Sequence, residues 1–349
     1  MDLLEPLVHR PGDRPAELSV LMPVRNTESM VGAAVTSVLD QQDCVAEILI
    51  SDDQSSDGTL DVVRRTVDAW RGPHHVRVLR TTRRLKIDHL GALVAASAGR
   101  LLVQAHGDDV SLPGRLAALR AIHDRTGAAL ITSRVRWKSA HSEEEEAMPP
   151  ELAEGWIPLR KLVTRNPGVL SGARYALDRA VYDRFPALDS SYLAIGHDVL
   201  QPFRAALLGG AWFDPRLLLQ CGRHAGQWTH RLWDTHLPAA GRFGFLLNRL
   251  GVTRAMMLDL RHAEAHGTLP PERIAEARAA VAEAVTRLLN ALLANREELR
   301  RSGREPAWLT EDELERVNRD TTARRVAGPA PPAADDRSPG HAPGEQRLT

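Results

Sequence analysis

The chain has 349 residues, of which 43% are hydrophobic, so it is long enough to bury the core of one large domain or of two. Its 45 Lys and Arg residues balance 45 Asp and Glu residues, and no overall charge directs it to nucleic acid or to an anionic membrane. The two cysteines, Cys44 and Cys221, lack metal-site spacing, which predicts core thiols in a reducing compartment.

Neither the start of the chain nor its apolar stretches predict a membrane protein. The first residues, MDLLEPLVHRPGDRP, lack the basic start and apolar core of a secretory signal. The longest apolar stretch, FGFLLNRLGVTRAMMLDL, contains Arg249 and Arg254 and is too short to span a bilayer. We expect a soluble, cytoplasmic protein with no transmembrane segment and no nucleic-acid partner. A peripheral contact with a membrane surface stays open.

The first part of the chain alternates between strand and helix patterns. Apolar runs predict four strands, LSVLMPV (18–24), AEILISDD (46–53), HVRVLRT (75–81) and RLLVQAH (100–106). Helices are predicted between them, the first capped by Asn26 or Thr27, the second in SSDGTLDVVRRTVDAW and the third ending at Gly99. Alternation at these lengths predicts βαβ units and a mainly parallel sheet.

Two pairs of aspartates follow strands of this predicted sheet. Asp52 and Asp53 end the second strand, and Asp108 and Asp109 follow the fourth. Ligands bind at the carboxyl ends of parallel strands, so we expect these four acids to line one crevice. Neighbouring carboxylates raise one another's pKa unless a cation or hydrogen-bond donors stabilise them. A divalent metal is the simplest candidate.

The residues after this acidic turn predict a helix. Ser111 can cap this helix, and Pro113 suits the first turn of the helix. A helix that starts here would hold the acidic turn in place. The alternative interpretation is that Gly107, Asp108 and Asp109 form only a turn with a capping carboxylate.

From about residue 136 the pattern becomes less regular. The stretch KSAHSEEEEAMPPELAEG predicts a solvated loop. Helices are predicted at YALDRAVYDRF and at GHDVLQPFRAALLGG, and AWFDPRLLLQCGRH predicts a strand that ends at His224. Residues 236–300 are mostly helical by their period, whereas the Pro-, Gly- and Ala-rich sequence from 321 predicts disorder.

Five fragments, in order, resemble the family 2 glycosyltransferases of the GT-A fold. They are LSVLMPVRN, ILISDDQSSDGT, GDDVSLPGRL, GHDVLQPFRAALLGG and AWFDPRLLLQCGRH, within residues 17–232. The resemblance implies an α/β fold with a mainly parallel central sheet flanked by helices. It also implies a nucleotide-sugar-binding half at 17–135 and an acceptor-binding half at 136–235. We expect a helical extension at 236–320 and a disordered tail at 321–349.

The resemblance also implies which residues hold the donor, a nucleotide-diphosphate sugar. The backbone around Pro23 and the side chains of Asn26 and Asp53 would hold the nucleotide, with Asp53 accepting from the base. Asp108 would face the ribose. Where family members often carry a Gly and an Asn near the nucleotide, Lys86 or His89 would contact phosphate instead. UDP is the favoured nucleotide because the family most often uses it, and the acceptor is unknown.

For the reaction, the resemblance implies inversion at the sugar with help from Mn²⁺ or Mg²⁺. Asp109 would bind this metal, which bridges the diphosphate, and His224 would lie near it; an ordinary structural histidine is the alternative for His224. Asp198 would be the catalytic base, with a plain helix cap as its alternative. The family's usual Glu before this aspartate is here His197. The expected class is an inverting hexosyltransferase.

Three rival functions make different demands on the sequence. A Rossmann dehydrogenase needs a Gly-x-Gly-x-x-Gly turn after its first strand, and PVRNTESMVG does not provide it. A nucleotidyltransferase would carry a Gly-rich basic loop near its start, which is not found. A non-catalytic nucleotide-sugar-binding or scaffold module would have no need of the base, although the acids could persist as caps.

Overall fold

The computed structural model describes residues 3–139, 141–148, 152–164, 170–187, 196–223, 239–267 and 269–301. In this part of the chain an eleven-stranded sheet is flanked by helices. Its strands are β1 (Leu4–Arg10), β2 (Leu18–Val24), β3 (Ala46–Asp52), β4 (His75–Thr81), β5 (Leu101–Gln104), β6 (Asp109–Ser111), β7 (Leu130–Lys138), β8 (Glu143–Glu145), β9 (Gly155–Ile157), β10 (Ala176–Asp178) and β11 (Ala211–Gly222). The helices are α1 (Glu28–Leu39), α2 (Thr59–Ala69), α3 (Asp88–Ala96), α4 (Arg115–Thr126), α5 (Leu159–Thr164), α6 (Ala180–Asp183), α7 (His197–Ala206), α8 (Ala239–Ala265) and α9 (Pro271–Arg301).

The sheet is built around a parallel centre. Its main path runs β1-β4-β3-β2-β5-β10-β7-β11-β6, with β8 paired to β7 and β9 paired to β11. Strands β4, β3, β2 and β5 are parallel neighbours, as are β7 and β11. The predicted α/β class and mostly parallel sheet are therefore confirmed, and the four early strands and their helices lie where the apolar periods place them.

Alternating side chains of the strands supply two apolar clusters, one on each face of the sheet. Helices α1, α2 and α4 cover one face, and α3, α5, α7, α8 and α9 cover the other. The same alternation appears within β2, where Leu21 belongs to the second cluster while Val20 and Met22 belong to the first. Burial of both faces explains why the parallel strands are continuous apolar runs.

The prediction of one helix over YALDRAVYDRF is wrong in its first half. Residues 176–178 form β10, which inserts antiparallel between β5 and β7. The helix that follows, α6, is only one turn long. A three-residue strand is too short to show a period of two, so its identity is decided by the two neighbours that supply its hydrogen bonds.

The glutamate run is exposed, as expected, but it is a strand rather than a loop. Strand β8 pairs antiparallel with the end of β7. Arg136 lies 3.1 Å from Glu143 and 3.3 Å from Glu145, and Arg223 lies 3.2 Å from Glu144. Cross-strand pairs of opposite charge stabilise such an edge, which composition alone does not reveal.

Three predicted helix caps are also corrected. Thr27 precedes α1, yet its hydroxyl makes no capping hydrogen bond; Asp57 accepts from the Glu28 N–H instead. Helix α3 ends at Ala96 and is followed by extended Ser97, so Gly99 does not terminate it. Ser111 does not cap helix α4, because it lies in β6 and its hydroxyl accepts a hydrogen bond from the Arg115 side chain. The residue that precedes α4 is Gly114, whose φ is 77°.

Of the two long helices, α8 packs on α7 and α9 packs on α5, and the two also pack on one another. No helix in the described part of the chain is long and apolar enough to cross a membrane. Cys44 and Cys221 are free and buried, as expected from their isolation in the sequence. The tail from 321, predicted to be disordered, lies outside the described residues.

Candidate active site

The carboxyl ends of β2, β3 and β5 form one edge of the sheet, which we call the donor edge; it comprises residues 23–27, 53–56 and 106–109. The loop after β2 is tied to the loop after β3. The Asp53 N–H donates to the Val24 carbonyl at 3.0 Å, and the Asn26 N–H donates to Ser55 Oγ at 3.0 Å. Asn26 Oδ1 accepts from the Ser56 N–H at 2.9 Å. Asn26 adopts φ 49°, a conformation that asparagine tolerates better than most residues.

Gly107 brings the acidic turn against the loop after β2. A Cβ at this glycine would lie 2.6 Å from Thr27 Oγ1 and 3.2 Å from a methyl group of Val24. Any other residue would therefore push the two loops apart. This close approach places the acidic turn next to Pro23 and Asn26, as the shared edge of β2 and β5 predicts.

Asp53 holds a third loop at this edge. Its carboxylate is 4% exposed and accepts from the Thr81 hydroxyl at 3.0 Å, the Leu85 N–H at 2.7 Å and the Lys86 N–H at 3.0 Å. Lys86 has φ 56°, and its side chain is exposed. The buried carboxylate thus orders a short basic loop, which also contains Arg83 and Arg84, beside the donor edge.

The acidic turn contains a cluster of three side chains suited to a metal ion. One ligand atom each from His106, Asp108 and Asp109 lies within 4.8 Å of the others. Asp109 Oδ1 accepts from the Gly222 N–H at 3.1 Å, and Asp109 Oδ2 lies 3.7 Å from His106 Nδ1. The donor set of two carboxylates and one imidazole fits a divalent cation.

Burial sets the electrostatics of this cluster. Asp109 is only 5% exposed, and burial together with the neighbouring Asp108 raises the pKa of its carboxyl to about 6, despite the opposing effect of His106 and of the Gly222 hydrogen bond. Arg115 is fully buried nearby, and burial lowers the pKa of its guanidinium to about 10. A carboxylate kept in this environment is stabilised by a bound cation.

Arg115 also connects the acidic turn to the second half of the fold. Its guanidinium donates to the Gln104 carbonyl at 2.9 Å and to the Ala173 carbonyl at 3.0 Å. Next to Ala173, a Cβ on Gly172 would lie 3.2 Å from Gln104 Oε1 and 3.6 Å from Asp198 Cβ. This series of contacts brings the start of α7, with Asp198, close to the end of β5.

A proline inside α7 shapes the position of Asp198. Pro202 has no N–H to donate to the carbonyl four residues earlier, which is that of Asp198. The buried Tyr175 hydroxyl donates to this carbonyl instead, at 3.0 Å. In addition, the Gln104 amide donates to Gln201 Oε1 at 3.1 Å, and Gln201 donates to the Tyr182 hydroxyl at 2.5 Å. Buried polar contacts therefore fix α7 against β5.

The far end of α7 is held by a buried ion pair. Arg204 and Asp259 of α8 are 5% and 3% exposed in their side chains and form two hydrogen bonds, of 2.7 and 3.1 Å. Arg204 also donates to the Pro186 carbonyl at 2.8 Å. Burial raises the pKa of Asp259, while Arg204 opposes this. The helical extension is thus joined to the helix that carries Asp198.

The structure brings most of the expected site residues to one region. The residues of the donor edge are Pro23, Asn26, Asp53, Asp108 and Asp109, with Lys86 beside it and Asp198 connected through Gly172. His224 and the side chain of His197 lie outside the described part of the chain. Their roles stay predictions.

Sequence reasoning missed His106. The signal is the sequence HGDD (106–109), in which a histidine three residues before Asp109 puts a nitrogen ligand on the same tight turn.

Comparisons with known proteins relate this chain to glycosyltransferases. Residues 19–182 match the family model described as glycosyl transferase family 2. The relative "Putative glycosyltransferase EpsE" of Bacillus subtilis (strain 168) is 28% identical over 100 residues, which are 29% of this chain and 36% of that protein. The aligned part is therefore about a third of that relative's length.

Solved structures are similar across most of the chain. S. aureus TarS 1-349 in complex with UDP-GlcNAc has a TM-score of 0.50 at 13% identity, covering 83% of this chain and 93% of that one. The mannosyltransferase PcManGT from Pyrobaculum calidifontis, in complex with GDP-Man and Mn²⁺, has a TM-score of 0.48 at 17% identity, covering 91% of this chain and 85% of that one. The likeness to TarS shows a shared GT-A fold.

Proposed function

We propose that this chain, whose residues 19–182 match the family model of glycosyl transferase family 2, transfers a sugar from a nucleotide-diphosphate sugar to an acceptor hydroxyl, with inversion. A UDP-sugar is the favoured donor. The observation that carries the proposal is the cluster of His106, Asp108 and Asp109 on the donor edge of the region that matches this model. We place the reaction in the cytoplasm, where free thiols such as the two buried cysteines persist.

The nucleotide is proposed to lie along the donor edge, over the backbone around Pro23 and beside Asn26. Asp53 already accepts three hydrogen bonds, and a carboxylate has about four acceptor positions, so one stays available for the base. Asp108 is assigned to the ribose and to the metal, because its oxygen belongs to the ligand cluster. Lys86 is assigned to the diphosphate because its loop lies next to Asp53.

Asp109 and Asp108 would hold Mn²⁺ or Mg²⁺. When bound, such a cation offsets the charge of the departing nucleoside diphosphate and so lowers the barrier to breaking the glycosidic bond. Gly222 holds Asp109 Oδ1 by a backbone hydrogen bond, which leaves Oδ2 on the side of His106. His224 stays a further candidate ligand.

Asp198 is proposed as the base that accepts the proton of the acceptor hydroxyl. Inversion requires attack on the sugar from the face opposite the diphosphate, and a base on that side. Gly172 allows Asp198 to approach the end of β5, while Tyr175 and Gln201 hold its helix. The acceptor would enter from the 136–235 half, whose helix α7 carries this residue.

The experiment that tests this function is a donor panel with the full chain. UDP-, GDP- and dTDP-sugars are incubated with Mn²⁺, with Mg²⁺ or with EDTA, and release of the nucleoside diphosphate is measured. We expect one donor class to be consumed, with no turnover in EDTA. If no nucleotide sugar is consumed and none binds, the chain is a non-catalytic module of the same fold.

A further inference from the structure

The imidazole of His106 adds a nitrogen donor to an otherwise oxygen-based site. Its side chain is 34% exposed, and its Nδ1 lies 3.7 Å from Asp109 Oδ2. Asp109 is buried and its other oxygen is held by the Gly222 N–H. The two groups therefore face each other on a turn whose shape is fixed by Gly107.

We propose that His106 is a protein ligand of the metal and that its imidazole makes the site select Mn²⁺ over Mg²⁺. This inference rests on the proposed function, since it concerns the same metal. It adds which ion the site prefers and which residue determines that preference.

The distances between donor atoms suit a shared ion. At metal–ligand distances of about 2.1 Å, two ligands of one octahedral ion lie about 3 Å apart when adjacent and about 4.2 Å apart when opposite. The three donor atoms lie within 4.8 Å of one another, which is close to these separations. His106 and Asp108 are half-buried, so the cluster is accessible from solvent on their side.

The chemistry of the donor set decides which ion benefits. Mg²⁺ prefers oxygen ligands in a strict octahedron and releases its water reluctantly. Imidazole suits transition metals, and the affinity of a nitrogen-containing site rises along the divalent series from Mn²⁺ onwards. Exchanging water for the His106 nitrogen therefore strengthens Mn²⁺ binding more than Mg²⁺ binding.

The first test measures the affinities of the two ions. Mn²⁺ is titrated into the full chain in the presence of UDP and followed by electron paramagnetic resonance, and Mg²⁺ affinity is obtained by competition. We expect His106→Asn to weaken Mn²⁺ binding about tenfold or more and to change Mg²⁺ binding less than about threefold. His141→Asn, which removes an exposed histidine outside the cluster, should change neither affinity.

The second test identifies the ligand directly. With ¹⁵N-histidine incorporated in a His224→Asn background, spin-echo modulation of bound Mn²⁺ should show coupling to a nitrogen, and adding His106→Asn should remove it. A merely structural histidine would not change this signal. Absence of nitrogen coupling in His224→Asn, or its persistence after His106→Asn is added, would overturn the proposal.

A further variant separates this inference from the proposed function. Asp109→Asn should abolish binding of both ions. If it does so while His106→Asn leaves the ratio of the two affinities unchanged, the metal site stands and the role of His106 is wrong. If the wild type with UDP binds neither ion, the metal-assisted function fails together with this inference.

Discussion

The donor edge and the helix that carries Asp198 are built in different ways. At the donor edge, the site residues lie at or within a few residues of the carboxyl end of a strand, and backbone N–H groups satisfy the carboxylates, as Leu85 and Lys86 do for Asp53. Helix α7, in contrast, is positioned by side chains from elements distant in sequence, including Tyr175, Gln104 and Asp259. Ligand binding therefore depends on turns, whereas placement of the base depends on tertiary packing.

The largest expected effect is a loss of turnover, without a loss of donor binding, when the proposed base Asp198 is replaced. Asp198→Asn keeps the shape of the side chain but cannot accept a proton, so turnover should fall by about 10²- to 10⁴-fold. Binding of the nucleotide sugar, measured by calorimetry, should stay unchanged because the donor edge is intact. Weakened donor binding with unchanged turnover would assign Asp198 to the donor edge instead.

The buried pair between α7 and α8 gives the largest expected effect on stability. Arg204→Met leaves Asp259 as a buried charge without its partner, which should lower the free energy of unfolding by about 3–5 kcal/mol in urea titrations. The double variant Arg204→Met with Asp259→Leu should recover most of this loss, because no unpaired charge stays buried. Equal losses in the single and double variants would show that packing, not charge, is responsible.

The contact of Tyr175 with the Asp198 carbonyl can be tested with a matched rescue. Tyr175→Phe removes the donor and should cost about 1–3 kcal/mol of stability, with turnover falling and donor affinity unchanged. Adding Pro202→Ala restores an N–H four residues after Asp198 and should recover part of both losses. No recovery in the double variant would contradict the account of this helix.

Metal-free stability should depend on pH through Asp109. Burial and Asp108 raise the pKa of Asp109 to about 6, so between pH 4 and pH 6 the folded chain binds more protons than the unfolded chain. The contribution of the Asp109 carboxyl to the free energy of unfolding is therefore present at low pH and is lost as pH rises through 6. In EDTA, Asp109→Asn should gain stability relative to wild type as pH rises from 5 to 8, as measured by thermal unfolding. A constant difference across this range would contradict the assignment.

The smallest expected effect concerns the basic loop beside the donor edge. Lys86→Gln removes an exposed charge but keeps the backbone N–H that Asp53 accepts, so it should raise the KM for the donor severalfold without changing kcat. The increase should shrink at high salt, because exposed charges are screened. Arg65→Gln, which removes an exposed charge on α2, is the matched control and should leave the KM unchanged.

Regular apolar periods made the first half of the fold predictable. Strands β2 to β5 were predicted within one or two residues because their side chains are buried on both faces of the sheet. Strands β8 and β10 were missed because three residues show no period, and their pairing depends on partners far along the chain. Strand β1, which pairs antiparallel with β4, drew no prediction from its mixed sequence.

The site was predictable to a similar degree. Acids at the ends of strands could be located from motifs, because a parallel sheet brings such ends together. The spatial link from Gln104 through Gly172 to Asp198 could not, since it depends on β10 and on the close approach of a glycine. Nor did the motif ILISDDQSSDGT show that the Asp53 carboxylate would accept a hydrogen bond from the Lys86 N–H and so hold that loop.

The most direct test of the central claim is the affinity for UDP measured by calorimetry, with Mn²⁺ and with EDTA, in wild type and in Asp109→Asn. We expect Mn²⁺ to tighten UDP binding at least about tenfold in the wild type and to have no effect in the variant, since Asp109 would hold the ion whose charge offsets that of the diphosphate. Equal UDP affinity with Mn²⁺ and with EDTA in the wild type, or the same Mn²⁺ effect in Asp109→Asn, would contradict the account.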